Sequence, residues 1–78
     1  MDNITELCSS QWNYILYSVN GRTVITVIFF DIVDYYRSFY LLDSEITLNE
    51  KALVNLAENI RNNAKSYENR ERFPAVFV

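Results

Sequence analysis

The chain has 78 residues, a mass of 9.2 kDa, a formal charge of −3 and a pI near 4.7, with 50% hydrophobic and 15% aromatic residues. A length of 78 holds one small core, so a single domain over residues 1–78 is expected, and with one glycine and one proline the chain is too poor in breakers for a linker. The lack of histidine and the single cysteine exclude a Cys/His metal cluster, a His-based triad and an intrachain disulfide, while the acidic balance opposes binding to nucleic acid or an anionic membrane.

The amino-terminal stretch Met1 to Leu7 carries acids where an export signal needs basic residues and an apolar run, so a cytoplasmic location is expected. In that compartment Asn3-Ile4-Thr5 is a chance match to a glycosylation pattern. Cys8, in a polar stretch with no histidine to activate it, reads as a reduced, non-catalytic thiol.

Two runs rich in β-branched and aromatic residues, Trp12 to Val19 and Arg22 to Phe30, flank Asn20-Gly21, a dipeptide suited to the positive φ angles of a type I′ turn. A two-residue loop places Tyr17 opposite Val24 and Tyr14 opposite Val27. One face of the hairpin then carries Trp12, Tyr14, Leu16, Ile25, Val27 and Phe29, and the other Ile15, Tyr17, Val19, Val24, Ile28 and Phe30. Both are largely apolar.

From Asp31 to Leu42 two patterns compete, since the polar residues recur at helical spacing while the rest are β-branched or aromatic. The composition favours a bend near Asp34 and a third strand over Tyr36 to Leu42, with a short helix as the alternative. The segment Val24 to Leu42 approaches membrane-span length, but Asp31, Asp34 and Arg37 interrupt it, so no membrane partner is expected.

Thr47-Leu48-Asn49-Glu50 has the form of a capping box and predicts the start of a long helix running to Tyr67. Leu48, Ala52, Leu53, Leu56, Ala57, Ile60, Ala64 and Tyr67 form its apolar stripe, opposite Asn55, Glu58, Asn59, Asn62 and Lys65. Glu68 to Arg72 reads as a connector and Phe73 to Val78 as a strand at a sheet edge, where Pro74 is tolerated. The expected fold is therefore α+β: an antiparallel β-meander of three to four strands with one long helix packed on one face.

A single helix of about 10 Å diameter covers one face of such a sheet and leaves the other bare. That face, with Ile15, Tyr17, Val24, Ile28 and Phe30, is expected to need a second copy of the chain or another protein, unless the sheet curls and the chain ends cover it. Charge is uneven as well. Through Ile46 two basic residues stand against six acids, a balance of −4, and from Thr47 onward five basic residues against four acids give +1. Asp31, Asp34, Asp43 and Glu45 beside Tyr17, Tyr35, Tyr36 and Tyr40 form the expected partner-binding set, because carboxylates steer the encounter with a basic partner and tyrosines supply contact area.

Catalytic readings have little to stand on. Asp31 and Asp34 fall on opposite faces of a strand, and two carboxylates alone specify no substrate or metal site. With Gly21 as the only glycine there is no phosphate-binding loop, and no cofactor is indicated. The expectation is a non-enzymatic protein-binding module, such as a toxin-neutralising immunity protein or a phage-type inhibitor of a defence enzyme. The alternative is a homo-oligomeric structural or regulatory subunit whose bare face is the dimer core.

Overall fold

The structure is a computed structural model and describes residues 3–77. Five antiparallel strands follow one another in chain order: β1 (Ile4–Ser10), β2 (Tyr14–Val19), β3 (Arg22–Phe29), β4 (Tyr35–Tyr40) and β5 (Glu71–Arg72). Between β4 and β5 the chain forms α1 (Asp43–Ile46), α2 (Glu50–Asn62) and a 3-10 helix over Ala64–Arg70. This is a single α+β domain built on a β-meander.

The central hairpin has the expected register, with Tyr14 opposite Val27 and Tyr17 opposite Val24. Asn20 and Gly21 take φ values of 53° and 84°, the positive pair that matches the twist of the strands they join. Asn20 has a second role. Its side-chain Oδ1 accepts from the Asn3 amide at 3.0 Å and its own amide donates to the Asn3 carbonyl at 3.0 Å, which fixes the start of β1.

β1 was not expected as a strand, because Ile4 to Ser10 has no continuous apolar face. It forms on the outer edge of β2, where one polar side can face water, and a bulge between Glu6 and Cys8 breaks its ladder. β4 bears out the strand reading of the contested segment, but it starts at Tyr35 and ends at Tyr40, with bends over 31–33 before it.

The long helix starts later than the capping-box reading placed it. Thr47 ends α1, and Asn49 caps α2 by accepting from the Ala52 amide at 2.9 Å. α2 also ends early, at Asn62, and the chain tightens into the 3-10 helix instead of reaching Tyr67 as α-helix or forming a connector after it. Leu53, Leu56, Ala57 and Ile60 of α2 are buried against Tyr14, Leu16, Ile25, Val27 and Phe29 of the sheet. The helix therefore covers the face of the hairpin that carries Tyr14.

The opposite face is not bare, contrary to the expectation that a partner must cover it. Residues 73–77, expected as an edge strand, follow the two-residue β5 and cross this face as irregular chain. Val76 joins a second core with Tyr17, Val19 and Val24, bordered by Ile4, Ile15 and Tyr40. Tyr17 and Val24 are fully buried and Ile28 is buried as well, so the predicted apolar patch survives only in part. The expected role for Val78 lies outside the described residues.

Candidate protein-binding surface

A meander puts its odd-numbered connections at one end and its even-numbered connections at the other. The β1–β2 turn at Gln11–Asn13 and the β3–β4 connection at Phe30–Asp34 accordingly share one end of the sheet. Their apolar side chains face solvent: Trp12 is 62% exposed, Phe30 53%, Ile32 99% and Val33 76%. Monomeric soluble proteins rarely gather so many large apolar groups in two neighbouring loops.

Trp12 adds a backbone observation. Its φ of 68° lies in the left-handed region that turns fill with Gly or Asn, and for a bulky residue such a conformation costs about 1–3 kcal/mol. The turn holds it there through the Asn13 amide, which donates to the Ser10 carbonyl at 2.9 Å, and the Asn13 side-chain amide, which donates to Ser10 Oγ at 3.0 Å. Core packing does not account for this strain, because the Trp12 side chain is mostly exposed.

Hydrogen bonds tie the backbone behind the two loops to α2. Arg61, in the last turn of α2, donates from Nε to the Ile28 carbonyl at 2.7 Å and from Nη2 to the Asn13 carbonyl at 3.4 Å. Its guanidinium also lies 5.0 Å from the Phe30 ring centroid. One arginine thus joins the helix end to β3 and to the turn between β1 and β2. In the Phe30–Asp34 loop, Asp31 accepts from the Ile32 amide at 2.8 Å, and this local bond orders the backbone beside the exposed pair Ile32 and Val33. Asp31 and Asp34 are both exposed. This end of the sheet thus presents both large apolar side chains and two carboxylates to solvent.

The structure divides the set of residues expected to bind a partner. Asp31, Asp34 and Tyr35 lie together at this end, with Tyr35 stacked on Phe29 at 5.4 Å between centroids. Tyr17 is fully buried in the second core and offers no exposed side chain to a binding surface, so its place in the set is corrected. Tyr36 and Tyr40 lie on the face crossed by the carboxyl-terminal segment, where Phe77 stacks on Tyr36 at 4.0 Å and the Arg22 guanidinium sits 3.9 Å above Tyr40.

Asp43 and Glu45 stand in α1, at the other end of the sheet. Glu45 is already engaged there, accepting from the Leu42 amide at 2.8 Å and pairing with Arg70 at 2.7 Å. One compact interface cannot use both acidic groups. Sequence reasoning missed Trp12 and Ile32, having assigned Trp12 to a strand face. The signal was present in Gln11-Trp12-Asn13, a lone tryptophan between two turn-forming polar residues, and in Ile32-Val33 held between two aspartates.

An open pocket of about 630 Å³ lies between β4 and the segment after β5. Arg37 and Glu71 on its wall bind each other in a two-pronged ion pair, Nε to Oε2 at 2.9 Å and Nη2 to Oε1 at 2.6 Å. That bond and the Glu71 charge raise the Arg37 pKa above its ordinary value against the opposing effect of burial. These charges join β5 to the helix-covered face, and their mutual bonding leaves them as structural groups.

Compared with protein-family models, curated proteins and solved structures, the chain has no match in any of the three.

Proposed function

We propose that this protein is a non-catalytic protein-binding module that acts by occupying a basic macromolecular partner through the loop end of its sheet. The observation that carries the reading is the exposure of the strained Trp12 and of Ile32 on two loops at the same end of the sheet, beside backbone that Arg61 bonds at Ile28 and Asn13. Rigid aromatic and aliphatic anchors presented on turns lose little entropy on binding, and Trp is among the residues that dominate interface energies. Asp31 and Asp34 beside them favour a partner with a basic rim around an apolar recess. Inhibition of a toxin or a defence enzyme is the form of action this reading favours, because a small module that plugs a recess blocks it by bulk alone. The oligomeric-subunit alternative rested on a bare sheet face, and the carboxyl-terminal segment removes that basis.

The test compares proteins captured from native lysate by the wild-type chain, by Ile32→Ser, by Asp31→Lys with Asp34→Lys, and by Asp43→Lys, which changes a charge at the opposite end. The expected result is a basic protein retained by the wild type and Asp43→Lys but lost with both loop-end variants. The charge-reversal pair should slow association at low salt more than at physiological salt. Identical capture by all four chains would overturn the proposal.

A further inference from the structure

The face opposite α2 contains a polar device inside an apolar core. Thr26 and Ser38 are cross-strand neighbours on β3 and β4 and are both fully buried. Their hydroxyl oxygens are 2.7 Å apart. Thr26 donates to the Val76 carbonyl at 2.7 Å, and the Val76 amide donates to Ser38 Oγ at 2.8 Å.

Each hydroxyl has one proton, which fixes the direction of the remaining bond. Thr26 has given its proton to Val76, so Ser38 must donate to Thr26, and the three groups close a ring in which each donates once and accepts once. Both backbone groups of one residue are thus read by two side chains of the sheet. The Val76 side chain enters the core of Tyr17, Val19 and Val24, and the next residue, Phe77, stacks on Tyr36. A backbone amide and carbonyl held together, a side-chain pocket and an aromatic platform are the parts of a peptide-recognition groove. With apolar residues at positions 26 and 38 the buried Val76 amide and carbonyl would lose these partners, so the sheet itself supplies the backbone recognition that this segment requires.

We propose that this face is a peptide-binding groove, occupied by the chain's own residues 75–77, and that the same segment of a second copy can take its place. The groove selects a β-branched aliphatic residue followed by an aromatic one. It is separate from the loop end and stands whether or not that surface binds a protein. Because the resident segment is tethered, it competes at an effective concentration of about millimolar, and an incoming segment binds more tightly when the resident one is weakened.

The experiment uses the full chain and a fluorescein-labelled peptide of residues 71–78, followed by anisotropy. Val76→Asp in the chain places a charge in the apolar pocket and weakens the resident segment, and Phe77→Ala removes only the stacking ring. The peptide should bind either variant at least ten-fold more tightly than it binds the wild type, and a peptide carrying Val76→Asp should not bind. In the wild-type chain the Val76 amide should exchange with deuterium at least ten-fold faster than the Ile25 amide in the central strand, and Ser38→Ala should raise its rate further. Equal peptide binding by the wild type and Phe77→Ala would overturn the groove, as would equal binding of the two peptides. Exchange of the Val76 amide no faster than that of Ile25 would also overturn it, since a segment released only by global unfolding cannot be exchanged.

Discussion

Ile60 and Ile32 allow the same chemical change to be made at opposite extremes of burial. Ile60 is 0% exposed in the core between α2 and the sheet, and Ile32 is 99% exposed in the loop that joins β3 to β4. Replacing Ile60 with Ala removes three carbons, about 2.4 kcal/mol at about 0.8 kcal/mol per buried methylene. The cavity adds to this, within the range of about 2–5 kcal/mol for such truncations, and the better helix propensity of Ala returns about 0.5 kcal/mol. A net loss of about 3 kcal/mol follows, against a total stability of about 4–12 kcal/mol for a domain of this size.

Ile32→Ala buries and uncovers nothing, so its cost should lie within about 0.5 kcal/mol of zero. Urea melts followed by tryptophan fluorescence and circular dichroism measure both. With a slope of about 1–1.5 kcal/mol per molar urea, Ile60→Ala should lower the midpoint by about 2–3 M at unchanged slope, and Ile32→Ala should leave it in place. If Ile32→Ala cost more than about 1 kcal/mol, the loop would be packed and the argument for a presented anchor would fail. If Ile60→Ala cost less than that, the helix would be turned the wrong way.

The cap of α2 gives a second contrast: Asn49→Ala should cost about 1 kcal/mol in the same melts, and Thr47→Ala should cost little, because the Asn49 side chain accepts the Ala52 amide. Glu71→Gln breaks the charge balance of a largely buried pair and should destabilise by about 2–4 kcal/mol, while a double change of Arg37→Met with Glu71→Leu should recover part of that loss; no recovery would place the energy outside the pair. Burial is the main cause of a raised Tyr14 pKa, with Cys8 and Glu50 adding to it. Since the folded form then holds the phenolic proton more tightly than the unfolded form, this stabilisation is complete below pH 10 and is lost as the pH rises through the folded-state pKa. Urea midpoints between pH 8 and pH 11 should therefore fall less steeply for Tyr14→Phe than for the wild type, and parallel curves would contradict the assignment.

What was legible in the sequence is what neighbouring residues decide among themselves. Asn20-Gly21 sets a turn, the turn sets the register of β2 and β3, and the register sorts Tyr14 from Tyr17 before any tertiary contact forms. The spacing of Leu53, Leu56, Ala57 and Ile60 gives the buried side of α2 in the same way. Competition between neighbours blurred the boundaries: Thr47 and Asn49 both suit a helix start, and only the short α1 before them assigns the cap to Asn49.

Long-range contacts decided the rest. β1 is a strand because the edge of β2 offers it partners and Asn20 holds its first residues, facts separated by many residues of sequence. The burial of Tyr17 depends on Val76, and the path of Val76 depends on Thr26 and Ser38, whose hydroxyls look like ordinary solvated strand positions until the last residues of the chain arrive above them. The candidate interface followed the same division. Each acidic residue was visible in the sequence, but the alternation of turns in a five-stranded meander placed Asp31 and Asp34 with Trp12 and sent Asp43 and Glu45 to the other end.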